Sequence, residues 1–117
     1  LPKQKGWLKV DPYLRIEGLE TAFAVGDAAC FEAHGLRSGQ NVEEAEAQGI
    51  LAARNILRTL QGAQLRAYKP KNTVQNPRAI ISLGGNKAVV YSKWFMFTTF
   101  AYRIKKFIER RYMKRFT

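Results

Sequence analysis

The sequence predicts an α+β fold, and three stretches predict it. Residues 21–29 form an apolar run that reads as a buried strand, residues 41–60 carry an acid-headed helical pattern, and two apolar runs at 79–83 and 88–91 flank a glycine-rich turn. A basic, aromatic segment from Lys93 onward is again helical in pattern. A chain of 117 residues has room for a modest core. We expect two parts: residues 1–62 with the first strands and the long helix, and residues 63–117 with the hairpin and the basic tail.

The stretch Thr21 to Ala29, TAFAVGDAA, organises the rest. Phe23, Ala24 and Val25 suit a strand covered on both faces, and Gly26-Asp27 marks its carboxyl end. In open α/β sheets that end is where ligands bind. Glycine lets a backbone approach a ligand closely, and aspartate accepts hydrogen bonds from sugar-like hydroxyls. A plain strand-to-loop turn uses the same residues, so the pair alone leaves both readings open.

Ahead of this run, Leu8, Val10, Leu14 and Ile16 alternate with polar residues around Asp11-Pro12, as a small β segment does. Behind it, Cys30 to Gly39 is irregular and holds the single histidine, His34, which reads as an exposed loop residue. One cysteine, Cys30, excludes an intrachain disulfide, and nothing points to an oxidising compartment.

The helix spans Asn41 to Leu60. Asn41 is a good N-cap, Glu43, Glu44 and Glu46 suit the positive end of the helix dipole, and Arg54 and Arg58 suit the other. Val42, Ala45, Gly49, Ala52, Ala53, Ile56, Leu57 and Leu60 follow helical spacing, and the small residues Ala45, Gly49, Ala52 and Ala53 would let the helix lie close against a sheet or another backbone. Gly62 is placed to close it in a left-handed conformation. A basic connector with Pro70 and Pro77 follows, then the hairpin around Gly84-Gly85-Asn86-Lys87. No G-x-G-x-x-G or Walker A loop occurs.

In the tail, Trp94, Phe97, Ala101, Ile104, Ile108 and Tyr112 fall at steps of three or four, opposite Arg103, Lys105, Lys106, Arg110, Arg111, Lys114 and Arg115. Aromatic residues on one face and cations on the other make up a helix that lies in a membrane interface. A helix docked on its own sheet with a solvated basic back fits the pattern equally well. The apolar run from Trp94 to Tyr102 is far short of the roughly 20 residues that span a bilayer.

Charge is polarised along the chain. Residues 1–50 carry 5 basic and 8 acidic groups, residues 51–92 carry 7 and 0, and residues 93–117 carry 8 and 1, for a net +11. Such a gradient points to an anionic partner at the basic end. With no zinc motif and no stacking sheet in the pattern, a membrane surface is expected ahead of nucleic acid. The first residue is Leu1 and not Met, as expected of a fragment or a processed chain and equally of simple Met removal.

The order of TAFAVGDAA, loop, acid-headed helix with AEAQGILAARNIL, hairpin and basic aromatic tail resembles the carboxyl-terminal part of two-dinucleotide-binding-domain flavoproteins. The tail is most similar to that of the type II NADH dehydrogenases and sulfide:quinone oxidoreductases. The resemblance implies a fragment of an FAD-binding α/β flavoprotein in which Gly26 and Asp27 bind the ribityl chain of FAD. Backbone amides near Val42 and Glu43 would face the flavin, where a helix amino end favours negative charge. It further implies NADH as electron donor, quinone as acceptor, and a peripheral place on the cytoplasmic face of the cell membrane. Ser38-Gly39-Gln40-Asn41-Val42-Glu43 is similar to a run in the sulfide enzymes, but no cysteine follows Cys30. The glutamines that line the quinone site in the NADH enzymes are replaced here at Glu43 and Ala47. The flavin phosphate loop and the NADH-binding domain would lie upstream, and an uncovered sheet edge would favour self-association.

Overall fold

The computed structural model describes residues 1–92, 96–98 and 100–116 as a small mixed α+β chain. Its two units are Leu1–Gln75 and Asn76–Thr117.

The first unit starts with three short strands, β1 (Lys3–Gln4), β2 (Trp7–Lys9) and β3 (Ala29–Cys30), in the order β1-β2-β3. β1 and β2 are antiparallel, while β2 and β3 run parallel with Leu8 opposite Ala29. A second ribbon, β4 (Glu32–Ala33) with β5 (Leu36–Arg37), turns at His34-Gly35. Both turn residues have positive φ, 53° and 74°, which matches the twist of a two-residue hairpin.

The core of this unit gathers Val10, Leu14, Ile16, Ala24, Ala29, Phe31, Ala52 and Tyr68. Leu14 is fully buried although its φ of 70° is left-handed. Asp11 imposes that conformation: its carboxylate accepts the N–H groups of Tyr13 and Arg15, each at 2.9 Å, and its carbonyl accepts that of Leu14 at 3.0 Å. A tied turn and a buried side chain together over-determine the strained backbone.

The expected strand over residues 21–29 does not form. Phe23 makes a single bridge to Arg15, Gly26–Ala28 is a 3₁₀ turn, and only Ala29–Cys30 pair as a strand. The reason is local. Ala22 and Ala24 hydrogen-bond back to Ile16 and Leu14 of the Asp11 turn, and Gly26 at φ 65° breaks any extended path. Of the three residues expected to be covered on both faces, Ala24 is buried and Phe23 and Val25 are half-buried, while Asp27 and Ala28 are exposed.

Helix α1 (Val42–Leu60) has the expected ends. Asn41 Oδ1 accepts the Glu44 N–H at 3.0 Å, and Gly62 closes the helix at φ 65°. Its buried face carries Ala52 of the small residues expected to pack closely, but is otherwise polar. Glu44, Gln48, Ala52 and Asn55 point inward, whereas Val42, Ile50, Ile56, Leu57 and Leu60 are 43–80% exposed. The inner face lies over loops whose N–H and C=O groups need partners, and polar side chains supply them.

Asn55 shows this most fully. Its amide donates to the carbonyls of Tyr13 (3.1 Å) and Arg66 (2.9 Å), and its oxygen accepts from Arg66 N (3.0 Å) and Arg58 Nη1 (3.2 Å). Tyr68 then stacks edge-on against Phe31 with centroids 4.9 Å apart and donates its N–H to Pro12 O at 2.8 Å. Residues 63–75 are therefore stitched to the first unit, and the division falls after Gln75, later than Gly62.

The second unit pairs β6 (Ala79–Gly84), β7 (Lys87–Tyr91) and β8 (Met96–Phe97) in that order, all antiparallel. The hairpin matches expectation, with Gly85 at φ 54° in the first central position of its turn. Helix α2 (Ala101–Met113) packs on β6 and β7 with Ala101 buried. The helical reading of the tail thus holds only from Ala101. Phe97 belongs to β8 and pairs with Val90, because the apolar Met96-Phe97 step extends the hairpin, and Trp94 lies outside the described residues. Among the described residues no helix is long and apolar enough to cross a membrane.

Removing the Asn55 amide strands two carbonyls and an N–H at once. Asn55→Ala should lower unfolding stability by about 2–3 kcal/mol and expose residues 63–66 to proteolysis, both measurable by denaturant titration and limited digestion.

Candidate functional site

The 3₁₀ turn at Gly26–Ala28 lies against the first turns of α1. Two glutamines hold it there. Gln48 Oε1 accepts the Gly26 N–H at 2.8 Å while Gln48 Nε2 donates to Ser38 Oγ at 3.0 Å. Gln40 Nε2 donates to the Asp27 carbonyl at 3.3 Å. Gly26 itself is at φ 65°, and a Cβ there would meet Ala45 Cβ at 3.5 Å, so a side chain is opposed by backbone conformation more than by space.

All four residues expected to face a cofactor lie on this turn and the helix end beside it. Gly26 and Asp27 form the turn, and Val42 and Glu43 open α1. Their setting differs from the expected one: the strand expected before them does not form, and Gly26-Asp27 precedes a strand, β3, instead of ending one. Asp27 is exposed, and its carboxylate makes no hydrogen bond or ion pair among the described residues. Val42 and Glu43 are also exposed. An open carboxylate beside a positive helix end can accept hydroxyl hydrogen bonds on one side and steady negative charge on the other.

The support beneath this surface comes from residues to which sequence reasoning gave other roles or none. Glu44 is 1% exposed, and its carboxylate accepts the Tyr68 hydroxyl and the N–H groups of Lys71 (3.1 Å) and Asn72 (2.8 Å). Asn72 in turn accepts the Gly39 N–H at 2.8 Å. Gly39 fits because it lacks a side chain: a Cβ would stand 2.9 Å from Asn72 O and 2.7 Å from Asn41 Nδ2. The signal for this lattice was present in the polar positions Glu44, Gln48 and Asn55, which recur at helical spacing.

Elsewhere in the first unit, a cavity of about 460 Å³ is lined by Gln4, Lys9, Glu17, Cys30, Glu32 and His34 among others. Cys30 is buried and its thiol donates to Gln4 Oε1 at 3.6 Å, whereas His34 is exposed in its turn. No cluster of metal-ligating side chains occurs among the described residues. In the second unit, α2 carries Lys105 and Lys106 at 3.8 Å and 3.0 Å from Glu109. The hydrogen bond from Lys106 holds the Glu109 carboxyl below its ordinary range and raises the Lys106 ammonium in return.

Compared with known protein families and with curated proteins, the chain finds no match.

The supports and the exposed groups should separate by mutation. Gly39→Ala should cost about 1–3 kcal/mol by forcing Asn72 away, while Asp27→Ala should change stability by no more than about 0.5 kcal/mol. Thermal melts of the two variants check this, and a large loss for Asp27→Ala would give that residue a structural role instead.

Proposed function

We propose that this chain is the carboxyl-terminal segment of an FAD-dependent NADH:quinone oxidoreductase, supplying one wall of the flavin site and a membrane-surface anchor. The observation that supports the flavin wall most is the exposed Asp27 carboxylate on a turn clamped to the amino end of α1 by Gln40 and Gln48. Asp27 would accept hydrogen bonds from ribityl hydroxyls, and Gly26 would keep the backbone close to the cofactor. The first amides of α1, at Val42 and Glu43, would stabilise negative charge that develops on the flavin when it accepts hydride. FAD supplies the redox chemistry when bound. The chain's own task is to hold, orient and polarise.

The exposed side of α1 agrees with this reading. Val42, Gly49, Ala53, Ile56 and Leu60 recur at steps of seven, four, three and four, which sets them on one side, with Ile50 and Leu57 beside them. That side is opposite the buried Glu44, Gln48 and Asn55, and the small residues at 49 and 53 would admit a closely packed neighbour. The rest of a flavoenzyme, with its own dinucleotide-binding units, would provide that neighbour.

Sulfide:quinone oxidation is the related alternative and calls for redox cysteines elsewhere in the enzyme. A non-catalytic basic module that binds membranes or nucleic acid is the alternative of another class.

In the complete flavoenzyme, Asp27→Ala should lower flavin retention about tenfold, the worth of one charge-assisted hydrogen bond. Flavin absorbance per protein after gel filtration reads this directly, and unchanged occupancy would sink the assignment. Leu57→Glu should leave the melting of this chain nearly unchanged yet block assembly of the complete enzyme. Normal assembly would mean that the exposed side of α1 is a solvated surface.

A further inference from the structure

Helix α2 follows the pattern read in sequence only in part. Ala101 is buried, and Lys105, Glu109 and Tyr112 are half-buried on the side that meets the sheet. Phe100, Ile104, Phe107 and Ile108, spaced by four, three and one, are 37–64% exposed and form an apolar ridge along the edge of that side. At about 100° per residue, Arg103, Arg110 and Lys114 share one flank of this ridge, and Arg111 continues its line. All four cations are exposed.

We propose that this ridge binds anionic phospholipid: Phe100, Ile104, Phe107 and Ile108 enter the headgroup boundary while Arg103, Arg110, Arg111 and Lys114 engage lipid phosphates. The proposal rests on the membrane-anchor part of the function above and names its ligand. Charge decides the occupant. Residues 76–117 carry ten basic groups and one acid, for a net +9. The single acid, Glu109, is committed to Lys105 and Lys106, so the cations flanking the ridge have no acidic partner on the helix. A second copy of the same surface would bring like charge against like charge. An anionic leaflet supplies the opposite sign together with an apolar layer at the depth of the phenyl rings. Arginine also suits phosphate better than lysine does, since its planar fork donates two hydrogen bonds at once.

Vesicle flotation of the full chain tests this, using phosphatidylcholine alone and phosphatidylcholine with phosphatidylglycerol, each at low and at physiological salt. Binding should be at least about tenfold stronger to the anionic vesicles and should weaken as salt screens the cations. Arg103→Gln with Arg110→Gln should weaken anionic binding about tenfold, and Arg103→Lys with Arg110→Lys should retain most of it. Phe100→Ser with Phe107→Ser should abolish it, with circular dichroism confirming that each variant is folded. Equal, salt-insensitive binding to both vesicle types would overturn the headgroup claim and leave the anchor standing. No binding to either type would overturn both. Displacement from anionic vesicles by an equal phosphate concentration of duplex DNA would assign the surface to nucleic acid instead.

Discussion

The buried polar side of α1 is the constraint on which the first unit depends. Glu44, Gln48 and Asn55 are each fully or nearly fully buried, and each is hydrogen-bonded to backbone from distant parts of the chain. A buried polar group left unpaired costs more than a made hydrogen bond contributes, so each of these side chains admits only the loop geometry that satisfies it. The strands of this unit are two or three residues long and could not fix the fold by pairing alone. The helix does what a larger sheet would do elsewhere: it sets the register of the turn at Gly26, the connector at Arg66 and the segment at Lys71-Asn72.

This arrangement explains which parts of the fold were legible in the sequence. Element ends were, because caps and turns depend on a few residues acting on their own backbone: Asn41 and Gly62 bound α1, and Gly84-Gly85 turns the hairpin between β6 and β7. Faces were not. Apolar periodicity assigns the inner side of a helix on the premise that the core is apolar, and over residues 42–60 the premise fails because loop backbone lies beneath the helix. The same premise holds only in part for the tail, where Ala101 of the expected stripe is buried but Ile104 and Ile108 are 37% and 50% exposed. At Thr21 to Ala29 an apolar run was read as a strand, but the Asp11 turn claims its hydrogen bonds. No local rule in residues 21–29 reports that Asp11 will do so.

The candidate site was legible in part for the same reason. Gly26, Asp27, Val42 and Glu43 carry local signals of a turn and a helix start, and they lie on neighbouring elements. Gln40 and Gly39 carry none, since their roles follow from what happens to lie across from them, and Gln48 is marked only by its spacing from Glu44 and Asn55. Gly39 is an instance: nothing in Ser38-Gly39-Gln40 announces that Asn72, remote in sequence, comes so near that a Cβ would stand 2.9 Å from its carbonyl oxygen.

The division of work between support and surface has a consequence for Asp27. Gln48, which holds the turn, and Glu44, which holds the segment at Lys71-Asn72, are buried and hydrogen-bonded, so changing them alters fold and site together. Asp27 is exposed, and the turn that carries it is held through the Gly26 N–H and the Asp27 carbonyl, not through the Asp27 carboxylate. Its carboxylate therefore adds little to the stability of the chain while standing on a rigid base beside a positive helix end. An ionised group in that position contributes only when something with hydroxyl or N–H donors comes to meet it. The structure thus frees Asp27 from folding, which is the condition under which a side chain is available for a ligand.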